Sequence, residues 1–290
     1  MILTTILRKY CFSVWVLFPF LLAFSCARLN ALKIDRVILA TNDNPTYLEF
    51  WPIVAPIWEK IIGVKPTLAL IGDQSLPIDE SLGDVIRFAP LPHVSTALQS
   101  QLIRLLLPIY FDNEVCLISD IDMLPLNKEY FCDPITDIPD NFFVVFRDGA
   151  YDPELERYPM CYNVASGKIF KEIFKITSPK EISQTISAWS SLGYGWCTDE
   201  KVLYQHLNNW MKQTSRCVLL HHPVEKRIDR ECWEYDRELL KKHYYIDSHM
   251  LRSYSSHKKE IDLLIRDCGF AEKTHPALAL QKIENSQLIE

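Results

Sequence analysis

Asp120-Ile121-Asp122 closes an apolar run, Val115 to Ser119, whose aliphatic residues read as a buried strand. If the strand continues, alternation puts both carboxylates on one face and turns Ile121 inward. Two acids held that close raise each other's pKa unless a cation relieves them. Hard oxygen ligands of this kind suit Mn²⁺ or Mg²⁺, which also bind a diphosphate. In open α/β sheets ligands bind at the carboxyl ends of strands, which is where the pair stands. The competing structural reading makes the two acids caps of the next turn. Position gives the pair its weight, because a chance D-x-D falls more often in a polar loop.

The elements that must hold this pair follow from the pattern of apolar runs. Val37 to Ala40 reads as a first strand ending at Thr41-Asn42-Asp43. A helix follows from about Thr46 to Ile62, interrupted by Pro52 and Pro56. Thr67 to Ile71, Val85 to Phe88 and Phe142 to Phe146 read as further strands. Leu98, Leu102, Leu105 and Ile109 keep helical spacing behind a cap at Ser95 or Thr96. Later helices are expected over Lys168–Phe174, Thr198–Trp210, Arg237–His243 and Lys258–Arg266. Strands alternating with helices imply an α/β fold with a mostly parallel twisted sheet flanked by helices.

Composition narrows the partners. The 290 residues are 48% hydrophobic and 23% charged, with a formal net charge of −6. That is a globular composition, and an acidic one gains nothing from phosphate backbones, so nucleic acid is excluded as a partner. The eight glycines form neither G-x-G-x-x-G nor G-x-x-x-x-G-K-[ST], so no dinucleotide fingerprint or P-loop is available.

Residues 10–27 carry no charge and follow Arg8-Lys9. As a helix they span ~27 Å, the lower end of a bilayer crossing. The preceding bases favour a cytoplasmic N-terminus with the bulk on the far side, as in a single-pass type II membrane protein of the secretory pathway. Ser25-Cys26-Ala27 equally suits cleavage by a signal peptidase and secretion, and both readings stand. The expected organisation is residues 1–32 as a cytoplasmic stub with anchor or signal peptide, 33–270 as the folded domain and 271–290 as a tail. Seven of the nine cysteines lie in the domain with no C-x-x-C pair, so one or two disulfides are expected in a secretory compartment. No N-x-[ST] acceptor is present.

Strand, Ser119-Asp120-Ile121-Asp122, then Met123-Leu124-Pro125-Leu126 resembles the DxD region of GT-A-fold glycosyltransferases. The helix Gln99 to Tyr110, with Gln101 and Arg104, resembles the helix that precedes DxD in those enzymes. Thr41-Asn42 resembles their nucleotide-contacting first loop, and Cys161 to Gly167 the segment that approaches donor sugar and acceptor. Trp196-Cys197-Thr198-Asp199-Glu200 resembles their Asp-containing acceptor-side helix. The likeness runs over residues 33 to 265, with only the DxD region specific.

The resemblance implies a GT-A-like catalytic domain that moves a sugar from a UDP- or GDP-sugar to a glycan, lipid or protein acceptor. Asp122 and Asp120 would hold Mn²⁺ (or Mg²⁺) against the donor diphosphate. A late histidine often completes such a metal site, and His249 is the candidate, with His221-His222 competing for the role. Arg104 adds positive charge near the phosphates, or is an ordinary solvated helix arginine. Thr41 and Asn42 contact base or ribose, or only end their strand. In an inverting reaction Asp199 is the base for the acceptor hydroxyl; in a retaining one it positions sugar hydroxyls, and without either role it is a helix N-terminal acid. Asn163 and Trp196 are expected to contact sugar. Two rivals remain: a membrane-anchored GT-A-like domain that binds without turnover, and, more distantly, an aspartyl-nucleophile phosphohydrolase. For the latter the pair sits too late in the fold and lacks a second acid cluster.

Overall fold

A computed structural model describes residues 30–270 of the chain. The apolar segment 10–27, read as an N-terminal helix, and the tail 271–290 both lie outside the described residues. Among the described residues no helix is long and apolar enough to cross a membrane.

The first half of the domain runs β1 (Arg36–Asn42), α1 (Pro45–Leu48), α2 (Trp51–Ile62), β2 (Pro66–Ile71), β3 (Asp84–Phe88), α3 (Thr96–Leu106) and β4 (Val115–Ile118). It continues through β5 (Met123–Pro125), α4 (Lys128–Cys132), β6 (Phe143–Asp148), β7 (Asn163–Ser166), α5 (Gly167–Phe174), α6 (Ile182–Ser190) and α7 (Thr198–Met211). The last elements are β8 (Cys217–His221), β9 (Arg227–Ile228), α8 (Arg237–Lys241), β10 (Asp247–His249) and α9 (Lys258–Asp267).

Seven strands form one sheet in the order β3-β2-β1-β4-β7-β6-β8. β1 to β4 are parallel, β7 runs antiparallel between β4 and β6, and β8 pairs parallel with β6. The central strands are apolar on both sides because both faces are covered. Val37, Leu39 and Leu117 face a layer holding α2, α4 and α9, while Ile38, Ala40, Cys116 and Ile118 face α3, α5, α6 and α7. This is the expected mostly parallel α/β sheet flanked by helices.

Local chemistry explains most boundaries. Ser95 Oγ accepts from the Leu98 N–H and opens α3. Gly63 ends α2 in the left-handed region at φ 89°. The segment read as one interrupted helix breaks at Glu49–Phe50 instead of at its prolines. Pro52 sits in the first turn of α2, and Pro56 is carried inside the helix by packing of Trp51, Val54, Ile57 and Trp58. All seven cysteines of the described residues are free thiols, so the expected disulfides are not formed among them.

A second sheet, β5-β10-β9, lies beside the end of β4. β10 pairs antiparallel with β5, setting His249 opposite Met123, and the Met250 N–H donates to the Asp122 carbonyl at 2.9 Å. Short strands with no readable pattern therefore bring residue 249 to residue 122.

Gly167 locks β7 and α5 against the turn that leads into β4. A Cβ there would meet the Pro108 and Phe111 carbonyl oxygens at 2.3 and 2.4 Å, both backbone atoms that cannot turn aside. Gly167→Ala is expected to cost about 2 kcal/mol, read as a lower urea midpoint at unchanged slope.

Candidate functional site

The carboxyl ends of β1 and β4, the second turn of α3 and the start of α7 surround a cleft of about 210 Å³. Thr41, Asn42, Arg104, Asp120, Asp122, Asp199 and His249 all line it. β4 ends at Ile118, so the DxD residues lie in the turn between β4 and β5 and not on a continuing strand. Ile121 is buried at 4% exposure, as its apolar side chain requires.

The two acids share the cleft but take different partners. Asp120 is ion-paired to Nη1 of Arg104, whose Nη2 donates to Asp199 Oδ2 at 2.8 Å. Asp122 is 1% exposed, and its Oδ2 accepts from Arg252 Nε at 2.7 Å and Arg230 Nη1 at 2.9 Å. His249 Nε2 lies 3.6 Å from the same oxygen and touches Arg230 Nη2, while its Nδ1 is 3.4 Å from Asp229 Oδ2. Burial alone would raise the Asp122 pKa, but the charges of Arg252, His249 and Arg230 outweigh it and hold the carboxyl below its ordinary value. At Asp199 the balance is reversed: burial outweighs Arg104 and raises the pKa. Burial also raises Glu200, against the hydrogen bond it accepts from Tyr151.

Asp199 uses both oxygens, Oδ2 for Arg104 and Oδ1 for the Glu200 N–H at 2.9 Å, so it serves as a helix N-terminal acid as well as a cleft residue. Arg104 is buried at 6% exposure and joins Asp120 to Asp199, which replaces the solvated-helix reading. Thr41 and Asn42 are buried, and Asn42 Nδ2 donates to Thr96 Oγ1 at 3.0 Å, tying β1 to α3. Trp196 lines the mouth at 62% exposure. Asn163 is the residue the structure does not bring in. It is fully buried in β7 outside the cleft lining, and its amide donates to the Pro159 and Met160 carbonyls at 2.9 and 2.8 Å. Its expected sugar contact is thus replaced by a structural one. His222 lines a neighbouring lobe beside Arg147, away from Asp122.

Arg230, Arg252, Tyr151 and Glu200 complete the lining and carry no spacing signal that marks them in the sequence. Gln101 Oε1 is buried without a hydrogen-bond partner, an acceptor left open in a cleft wall.

Two carboxylates and an imidazole are the right donor types for a hard divalent ion. Among the described residues, though, no three His, Cys, Asp or Glu side chains are gathered as a ligand set. The guanidinium of Arg230 stands between Asp122 and His249, where an ion's charge would go. The donors fit a metal on the condition that Arg230 turns away.

No protein-family model and no curated protein matches this sequence. Solved structures do resemble it. One is the galactosyltransferase LgtC in complex with donor and acceptor sugar analogs, at 13% identity over 82% of this chain and 96% of that one, TM-score 0.46. Another is the bifunctional glycosyltransferase WbbM, at 11% identity over 84% of this chain and 52% of that one, TM-score 0.49. A third is a glycosyltransferase involved in glycosylation of the major capsid of PBCV-1, at 12% identity over 78% and 98%, TM-score 0.43.

Proposed function

We propose that the protein is a glycosyltransferase whose cleft takes the diphosphate of a UDP- or GDP-sugar. One observation carries this reading. Three guanidinium groups, Arg104, Arg230 and Arg252, converge with Asp120 and Asp122 at the carboxyl ends of the central strands. Such a slot donates hydrogen bonds to a pyrophosphate and steadies part of the charge that grows on a departing nucleoside diphosphate. Thr41, Asn42 and Tyr47 line the same cleft and are the residues offered to base and ribose.

Asp120, Asp122 and His249 would hold Mn²⁺ (or Mg²⁺) once Arg230 swings from Asp122. Bound there, the ion supplies Lewis-acid stabilisation of the leaving diphosphate. Arg230, released from Asp122, would be free to face the phosphates, while Asp199 fixes Arg104, which fixes Asp120. With both oxygens engaged, Asp199 suits positioning better than proton abstraction. A second reading rests on the same contacts: the arginines already neutralise the acids and serve the diphosphate without a metal. The acceptor is a glycan, lipid or protein, and the uncharged segment 10–27 either tethers the domain to a membrane or is removed as a signal peptide.

Thermal melts with UDP, GDP and CMP, each with and without Mn²⁺, test both readings. A nucleotide at one hundred times its Kd adds about 2.7 kcal/mol to stability. Stabilisation by UDP or GDP only with Mn²⁺ supports the metal site, and equal stabilisation without it supports the arginine site. Identical melting in every condition overturns the donor assignment. Nucleotide release from a donor sugar separates an enzyme from a domain that only binds.

A further inference from the structure

We propose that a second lobe of the cleft recognises an acidic group, a carboxylate or phosphate, on the sugar being joined, with Arg147 as its receptor. The inference rests on the donor reading above and adds a substrate class to it. The lobe encloses about 450 Å³ and shares Asp120, Tyr151, Met160, Glu200, Arg230 and His249 with the diphosphate cleft, so its occupant lies beside the transferred sugar.

Arg147 projects from β6 into this lobe. Its Nη1 donates to the Cys161 carbonyl at 3.2 Å and contacts the Cys161 thiol at 2.8 Å. Its Nε and Nη2 face the two ring nitrogens of His222 at 3.3 and 3.4 Å. Burial, with Arg147 and Arg227 nearby, pushes His222 down to about 4, so the ring is neutral at pH 7. A neutral imidazole has one acceptor nitrogen, so at most one of those two contacts is a hydrogen bond.

Apart from Glu231, the other charges of the lobe are already matched. Asp120 pairs with Arg104, Arg230 with Asp122, Arg227 with Asp247, Asp229 with His249, and Glu200 with Arg157. Glu231, exposed at the mouth, makes no ion pair with Arg147 among the described residues. Arg147, half-buried, has no carboxylate within ion-pair distance among the described residues; Cys161 and, from farther off, Asp247 favour its charge against burial and the nearby Arg227. Its planar fork fits a carboxylate or phosphate that a ligand brings into the lobe.

The acid can sit on the acceptor or on the donor sugar, and the test separates the two. Ligand-observed NMR on the UDP-loaded protein compares methyl glucuronide and glucose 6-phosphate with methyl glucoside. Donor competition compares UDP-glucuronic acid with UDP-glucose. At least tenfold tighter binding of the acidic member is expected in one of these arms. Arg147→Gln should erase that preference, Arg147→Lys should restore part of it, and both variants should bind UDP as the parent does. Equal binding of acidic and neutral probes in both arms, or a preference that survives Arg147→Gln, overturns the proposal. Loss of UDP binding by the parent protein would instead sink the donor reading, while the sugar arms still report on Arg147.

Discussion

Asp122→Asn is expected to lower nucleotide release from the donor by about 10³-fold, the scale of removing one preorganised charge-stabilising group. Asp122 is the hub of the site, because Arg230, Arg252 and His249 all meet at one of its oxygens. Asn keeps the volume and removes the charge that gathers them. Whichever way the phosphates are held, by a metal or by arginines, their receptor loses its anchor. The free protein should also lose about 1–2 kcal/mol, less than for a fully buried pair because both arginines reach solvent. That loss has a pH signature. The carboxyl of Asp122 sits below its ordinary value in the folded chain. Its contribution is therefore complete above the unfolded pKa of about 4 and fades as pH falls towards the folded value. Melts of parent and variant should converge in acid. A variant with normal nucleotide release would remove Asp122 from the site, and a stability gap that widens in acid would contradict its pairing.

The sheet was legible because its central strands are buried on both faces and read as unbroken apolar runs. Ser95 and the spacing of Leu98, Leu102 and Leu105 likewise announce α3. Helix α6 was not legible. Its Ser and Thr side chains bond back to the backbone, Thr185 to the Glu181 carbonyl and Ser187 to the Ser183 carbonyl, and that composition reads as loop. β5, β9 and β10 are two or three residues long and exist only through pairing with one another.

The site divides along the same line. Asp120 and Asp122 announce themselves by spelling and by position after a strand. Their arginine partners do not. Arg230 stands 108 residues from Asp122 and Arg252 stands 130, and only the second sheet folds them back. Asn163 misled for the opposite reason. Its place in a segment resembling a sugar-contacting loop suggested exposure, whereas pairing with Ile118 buries it between strands.

Arg104→Gln should impair the protein as severely as Asp122→Asn, and its stability deficit should likewise shrink in acid, through a carboxyl whose pKa is raised instead of lowered. Arg104 joins α3 to Asp120 of the DxD turn and to Asp199 of α7. Without it the two acids face the cleft uncompensated, and about 2–3 kcal/mol of stability should be lost at pH 7. The Asp199 pKa already lies above its ordinary value, through burial that Arg104 only partly offsets. Ionising Asp199 therefore costs stability, and that cost appears as pH rises through the folded value. Removing Arg104 moves the value higher, so the deficit of the variant should shrink on acidification as Asp199 takes up a proton. Glu200 beside it is raised as well and shifts the same way. Arg104→Lys keeps one charge but not the fork that spans two acids, and should recover stability better than activity. The double change Arg104→Gln with Asp199→Asn removes cation and anion together. Stability should return towards the parent while nucleotide release stays low. If the double variant also regained activity, Arg104 would be a fold contact with no part in holding the diphosphate.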